Sequence, residues 1–117
     1  MKTSTGSPTK AEQERLDLLR NVGCICCLMR FGSEVPEYEI HHIVQGDRRL
    51  GHWYTLPLCF NHHRGKMLSG DWTSIAQGSK AFSKVHGTEL EIWGKLQRML
   101  GLDDTLPPTK IVSRSLA

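Results

Sequence analysis

The alternation of apolar and polar positions predicts helices at both ends of the chain and strands in its middle. Apolar residues recur at helical spacing within residues 10–21, behind an acidic first turn, so a helix is expected there. Gly23 is suited to end this helix. Residues 1–7 are polar and lack periodic apolar positions, and they are predicted to form a disordered tail.

Two β-prone segments predict an antiparallel hairpin in the middle of the chain. Residues 38–44 alternate enough to form one strand, and residues 53–58 supply β-prone residues for a returning strand. Polar and basic residues 45–51 would connect the two strands. A short helix over residues 60–68 is expected to begin immediately after Cys59.

The C-terminal part is predicted to be helical. After a loop over residues 70–78, residues 81–86 predict one or two helical turns, and Thr88-Glu-Leu-Glu91 forms a capping box. An apolar stripe follows on the last helix and is expected to lie in the core: Leu90, Trp93, Leu96 and Leu100. Residues 103–117 contain Pro107-Pro108 and are predicted to be a tail, so residues 8–102 form the single expected domain. The fold class is therefore α+β.

Composition and length are those of one small folded domain. The 117 residues are 38% hydrophobic and 23% charged, which argues against extensive disorder. A domain of this size has a modest core and often needs a structural metal. No signal peptide or membrane-spanning run is recognisable, so a cytoplasmic location is expected. Cysteines in a reducing compartment seldom form disulfides, which favours metal binding by the four present here.

Basic residues concentrate in one segment. The chain has 15 Lys and Arg against 12 Asp and Glu, a weak excess that by itself says little about a polyanionic partner. Residues 45–66, however, contain most of the candidates for contacts with nucleic acid: Arg48, Arg49, Arg64 and Lys66. Solvated surface charge explains this arrangement equally well.

Cysteine and histidine spacing predicts a structural zinc site. Cys24-x-x-Cys27 and Cys59-x-x-His62 each place two ligands on one tight turn, and structural zinc takes four tetrahedral thiolate and imidazole ligands. Cys26 could replace Cys27, and His63 adjoins His62, but the usual spacing favours Cys27. The alternative is that these are ordinary buried cysteines beside a surface histidine.

Two histidine pairs suggest a second site. His41 and His42 are neighbours on a predicted strand and point to opposite faces, so both cannot lie in one core. His62 and His63 diverge by about 100° on a helix, so His63 is free to face the hairpin when His62 faces the zinc. No paired Asp or Glu cluster is evident, so any hydrolysis is expected to use histidine and one metal.

The order of these motifs resembles the HNH endonucleases with a zinc-bridged ββα-metal core. Among them, the chain is most similar to the phage Ref family of recombination-enhancing, RecA-dependent nucleases and their prophage relatives. The resemblance covers residues 23–100. The phrases that carry it are Gly23-Cys-Ile-Cys-Cys, Ile40-His-His-Ile43, Gly51-His52, Leu56-Pro-Leu-Cys59, His62-His-Arg-Gly65 and Gly78-Ser-Lys-Ala-Phe82.

The resemblance implies a fold, an activity and roles for several residues. The expected fold is a zinc-bound HNH hairpin and helix, flanked by an N-terminal helix and C-terminal helices. His42 matches the general base, and His41 and His63 match ligands of a catalytic divalent metal (Mg, Mn, Ni or Zn). Tyr54 stands where the wider HNH pattern has its central Asn, and His52 is expected to substitute by orienting the base or contacting phosphate.

The implied activity is metal-dependent hydrolysis of DNA phosphodiester bonds with low sequence specificity, in phage or prophage recombination. The implied partners are DNA and a RecA-type recombinase filament, without a membrane. A non-catalytic zinc-knuckle module that binds DNA or recruits a recombinase is the alternative. The oligomeric state stays open.

Overall fold

Helices surround a short hairpin in residues 6–102, which are the residues that the computed structural model describes. The predicted tail over 103–117 and residues 1–5 lie outside this range. The helices are α1 (Lys10–Leu18), α2 (Ile25–Phe31), α3 (Phe60–Arg64), α4 (Ser79–His86) and α5 (Glu89–Met99). The strands are β1 (Glu39–His42), β2 (Val44–Gln45), β3 (Arg48–Arg49) and β4 (Thr55–Leu58). The predicted α+β class is confirmed.

Helix α1 begins with a capping box. The Thr9 hydroxyl accepts the Glu12 N–H at 3.1 Å, and the Glu12 carboxylate accepts the Thr9 N–H at 2.8 Å. The predicted helix over 10–21 is confirmed, although its last turn is a 3₁₀ turn at Leu19–Asn21. Gly23 then adopts φ +70°, where a Cβ would lie 2.2 Å from the Val35 carbonyl oxygen. Only glycine fits this backbone contact.

The prediction of a tight turn at Cys24 to Cys27 is wrong, because α2 begins at Ile25. Cys24 is its N-cap residue, and its sulfur accepts the Cys27 N–H at 3.4 Å. The x-x spacing that suggested a knuckle is also the spacing between an N-cap residue and the third helical position. Both thiols therefore belong to the first turn of α2, which is buried.

The strands of the hairpin are shorter than the sequence pattern predicted, and the hairpin consists of two separate strand pairs. Strand β1 pairs antiparallel with β4, with His41 opposite Leu56 and His42 opposite Thr55. Ile43 separates β1 from the small β2–β3 ribbon at the tip. All four residues of β4 are buried, so this strand lies at the centre of the domain.

The core lies between α2, β4, α4 and α5. Ile92, Trp93 and Leu96 of α5 are buried, but Leu90, which was predicted to be core, is 39% exposed. The buried face is rotated toward Ile92, and it includes Gln97, whose side-chain amide oxygen accepts a hydrogen bond from Arg15. The predicted helix over 60–68 ends earlier, at Arg64. Over residues 6–102, every helix is too short or too polar to cross a membrane.

Candidate metal centre and histidine–carboxylate cluster

The starts of α2 and α3 bring four buried ligand-type side chains together. These side chains, the Cys₃His centre, are Cys24, Cys27, Cys59 and His62. Their potential ligand atoms all lie within 4.8 Å of one another. They are the four residues that the sequence spacing selected, and they could hold a metal ion.

The distances within the Cys₃His centre fit a tetrahedral ion. Ligands at the usual zinc–sulfur and zinc–nitrogen lengths lie roughly 3.5–3.8 Å apart. Here the sulfur atoms of Cys27 and Cys59 are 3.8 Å apart, and the three sulfur atoms lie 3.3–3.5 Å from His62 Nδ1. Cys26 lies outside the centre and is fully buried in the core, where burial raises its thiol pKa.

Contacts around His62 fix which nitrogen faces the thiols. Its Nε2 donates to the Asp71 carbonyl oxygen at 2.9 Å, which leaves Nδ1 as the ligand atom. The Trp72 ring stacks on the imidazole at 4.9 Å and covers it. Burial lowers the pKa of His62 and raises those of the Cys24 and Cys27 thiols. A bound cation would stabilise the thiolates that burial disfavours.

A second group of side chains lies on the opposite side of α3. His41 Nε2 is 2.8 Å from Glu89 Oε1, and His63 Nδ1 is 2.7 Å from Glu39 Oε1. The two imidazoles face each other edge-on, with ring centroids 5.3 Å apart. We call these four residues the histidine–carboxylate cluster. The structure thus brings His41 and His63 together, as the sequence suggested, and adds a carboxylate to each.

The two carboxylates correct the expectation, drawn from the lack of a paired Asp or Glu cluster in the sequence, that this site has no acidic residues. Glu39 carried a usable signal, because it lies two residues before His41 and therefore on the same face of the strand. Glu89 carried none, because it is in the first turn of α5 and reaches His41 only through the tertiary fold. Its position is held further by the Ser79 hydroxyl, which donates to Glu89 at 3.2 Å.

His42 contacts a different part of the hairpin. Its Nε2 lies 3.1 Å from His52 Nδ1, and His52 Nε2 lies 2.6 Å from the Gly6 carbonyl oxygen. The carbonyl can only accept, so His52 Nε2 carries the proton and, in neutral His52, Nδ1 accepts from His42. Burial, together with the positive charge of Arg49, lowers the pKa of His42 to about 4. His42 is therefore neutral at neutral pH.

The predicted nucleic-acid contacts have different surroundings. Arg48 and Arg49 are exposed on β3, at the tip of the hairpin, and Lys66 is exposed beyond α3. Arg64 instead forms a two-pronged ion pair with Glu39. The pair, with a smaller contribution from His63, lowers the pKa of Glu39 to about 2.

The fold and these two groups define a small α+β domain with a candidate metal centre and an adjoining histidine-rich surface. Its sequence identifies the family more closely. The family model described as "Recombination enhancement, RecA-dependent nuclease" matches residues 8–101, and the chain belongs to this family. The resemblance to this family that the sequence motifs indicated is thereby confirmed, and the family name implies a nuclease. No curated protein matches the chain.

Proposed function

We propose that the protein is a metal-dependent DNA endonuclease of the HNH (ββα-metal) type. In this proposal β1, β4 and α3 form the ββα unit, and the enzyme hydrolyses phosphodiester bonds with low sequence specificity during phage or prophage recombination. The observation that carries it is the edge-on placement of His41 and His63 at 5.3 Å, with the His42–His52 pair formed by the next residue of β1. The membership of a nuclease family supports the same conclusion.

The carboxylates support metal binding by His41 and His63. A metal-bound histidine usually donates its other ring N–H to a carboxylate or carbonyl, which fixes the ring and makes the ligand nitrogen more basic. Glu89 accepts from His41 Nε2 and Glu39 from His63 Nδ1, so His41 Nδ1 and His63 Nε2 would be the ligand atoms. A divalent cation there would stabilise negative charge on the phosphoryl and leaving oxygens. Mg, Mn, Ni and Zn are the candidates.

His42 is the proposed general base. Its Nε2–H is used by His52, so Nδ1 carries the lone pair that would take a proton from the attacking water. The lowered pKa keeps this lone pair available at neutral pH. His52 would act on the reaction through His42, by holding the ring and its tautomer, as the central Asn is expected to do in the wider HNH pattern.

The Cys₃His centre is the proposed structural zinc site. Three thiolates and one imidazole at closed tetrahedral spacing are the donor set typical of structural zinc. Thiolate binding needs reduced cysteines, which the cytoplasmic location expected from the sequence would supply. The centre would hold the N-terminal ends of α2 and α3 together.

The basic residues are the proposed phosphate contacts. Arg48, Arg49 and Lys66 are exposed and would give salt-sensitive binding with little sequence information. Arg64 remains a candidate because its side chain is largely exposed, although it also forms an ion pair with Glu39. The family description adds a RecA-type filament as a proposed partner.

The test is plasmid nicking in Mg, Mn, Ni or Zn, with and without a recombinase filament on single-stranded DNA. His42→Ala is expected to abolish nicking while leaving fold, zinc content and DNA affinity close to wild type. Gln45→Ala, an exposed change on the same hairpin, is the matched control and should nick normally. Normal nicking by His42→Ala would refute the assignment of the base.

A non-catalytic DNA-binding or recombinase-adaptor module is the second candidate. It is favoured by one observation: within residues 6–102, the group of three or more potential ligands whose atoms all lie within 4.8 Å of one another is the Cys₃His centre, not the histidine–carboxylate cluster. This candidate predicts DNA binding without cleavage in any of the four metals. Nicking that His42→Ala abolishes would exclude it.

A further inference from the structure

Met67 combines two unfavourable features. Its side chain is 97% exposed, and its backbone adopts φ +57°, a left-handed conformation that side chains larger than hydrogen rarely adopt. An exposed thioether side chain gains no packing within the described residues that would offset this strain. Glycine would serve better at this position if the turn had only to connect α3 to the next segment.

The turn around Met67 is held firmly on both sides. Before it, the Ser74 hydroxyl donates to the Gly65 carbonyl oxygen at 2.6 Å. After it, the Gln77 side chain accepts the Leu68 N–H at 3.2 Å and donates to the Leu68 carbonyl oxygen at 2.7 Å. These hydrogen bonds hold the residues on both sides of Met67 and therefore keep Met67 in its strained conformation. Strain that is maintained in this way is common at functional sites.

Gly65 fixes the start of this turn. A Cβ there would lie 2.3 Å from a Leu68 side-chain carbon and 2.5 Å from the Asn61 carbonyl oxygen. This close packing joins the turn to the end of α3. Met67 is thus presented outward from the helix that also carries His63.

A positive charge lies next to Met67 in the chain, and the preceding helix α3 carries an exposed aromatic ring. Lys66 directly precedes it and is exposed. The Arg64 guanidinium lies 5.2 Å from the centre of the exposed Phe60 ring. A partner that matches a projecting apolar side chain beside the exposed cation of Lys66 would have a negatively charged surface and an apolar interior that can open. Duplex DNA has both, since its phosphates surround stacked bases.

We propose that Met67 inserts between adjacent base pairs of duplex DNA beside the phosphodiester that the enzyme cleaves. This rests on the proposed nuclease function and specifies its substrate as a duplex that the protein distorts. Methionine suits the role because it is unbranched and flexible, and apolar wedges of this kind partly unstack a base step. Flexible pyrimidine–purine steps should then be preferred, because they unstack most easily.

The inference is tested by duplex binding with 2-aminopurine as the probe of base stacking. The full chain is titrated into short duplexes that carry 2-aminopurine at successive steps. Wild type should raise the fluorescence at one or a few steps. Met67→Ala and Met67→Gly should lose this rise and bind about tenfold more weakly, while their melting temperatures stay at or above that of wild type. Met67→Gly also tolerates the positive φ, so it separates the side chain from the turn.

Two matched controls separate the effect of the Met67 side chain from that of another exposed methionine and from that of the neighbouring charge. Met99→Ala removes another exposed methionine, on α5, and should leave both binding and fluorescence unchanged. Lys66→Ala should weaken binding and its salt dependence but retain the fluorescence rise. Duplex binding by Met67→Ala with wild-type affinity and fluorescence would overturn the inference. So would unchanged duplex binding combined with lost stimulation by a recombinase filament, which would assign Met67 to a protein contact.

The outcomes distinguish this inference from the proposed catalytic function. A fluorescence rise without nicking in any metal would support Met67 as a wedge and refute the nuclease mechanism. Nicking without a fluorescence rise would support the nuclease mechanism and refute the insertion of Met67 into the duplex.

Discussion

Arg15 offers the sharpest test of how the domain supports its hairpin. Its guanidinium is 1% exposed and donates three hydrogen bonds, to Gln97 Oε1 at 2.7 Å, to Thr55 Oγ1 at 2.6 Å and to the Thr55 carbonyl oxygen at 3.0 Å. These bonds join α1, β4 and α5. The Thr55 hydroxyl in turn donates to the His52 carbonyl oxygen at 3.0 Å, so Arg15 supports the segment that carries His52, the partner of the proposed base.

The contribution of Arg15 to the free energy of unfolding is the difference between two opposing effects. Burial lowers the pKa of Arg15 to about 10 from its usual 12.5, which corresponds to a desolvation cost of about 3 kcal/mol. Hydrogen bonds from a charged donor each contribute about 2 kcal/mol, and three of them exceed this cost by about 3 kcal/mol. Arg15→Met should therefore destabilise the protein by about 3 kcal/mol, and the melting temperature should fall by roughly 12–24 °C.

The assay is urea unfolding of the metal-loaded protein, followed by tryptophan fluorescence. Trp53 is a suitable reporter because its ring lies 5.9 Å from the Arg15 guanidinium. Arg20→Met is the matched control, since this side chain is 71% exposed and pairs only loosely with Asp17, and it should change stability by less than about 0.5 kcal/mol. A loss below about 1 kcal/mol for Arg15→Met would show that the buried bonds merely balance the desolvation cost.

Three further predictions follow from the two sites and the last helix. Cys59→Ser should release the metal and unfold the domain, because structural zinc contributes on the order of 10 kcal/mol; a folded, zinc-free variant in metal analysis and circular dichroism would contradict this. Glu39→Gln should weaken binding of the proposed catalytic metal roughly 10- to 100-fold in calorimetry, with Glu37→Gln as the neutral control, and equal affinities would remove Glu39 from the site. Glu91, whose pKa is lowered by hydrogen bonds from Thr88, stabilises α5 above its unfolded pKa and loses this effect as pH falls through its folded pKa. The difference in melting temperature between wild type and Glu91→Ala should therefore shrink from pH 7 to pH 3, and a constant difference would exclude the charge as its cause.

Local features of this fold were predictable, whereas contacts between distant elements were not. The Cys-x-x-Cys and Cys-x-x-His spacings selected the four members of the Cys₃His centre, because two ligands one helical turn apart can reach the same ion. The capping box at Thr88 likewise located the start of α5. Each spacing and the capping box lie within four consecutive residues, so they can be recognised without knowledge of the tertiary packing.

The residues that were missed act across long stretches of sequence. Glu89 lies 48 positions from His41, and Gln97 lies 82 positions from Arg15. Nothing near Arg15 marks it as buried, since an arginine among charged residues of a helix is usually exposed. The exposure of Leu90 also depends on tertiary packing, because the core lies on the side of α5 that carries Ile92, away from Leu90.

Helix α3 connects the Cys₃His centre to the proposed catalytic site, because His62 of the centre and His63 of the catalytic site are consecutive residues. Its five residues are too few to form a stable helix alone. Cys59 precedes it and His62 lies within it, so an ion in the Cys₃His centre would fix the helix at both points. His63 then projects about 100° away from His62, toward Glu39 and His41. The position of a proposed catalytic ligand therefore depends on the structural centre. Loss of that centre should abolish activity even in variants that retain every residue of the histidine–carboxylate cluster.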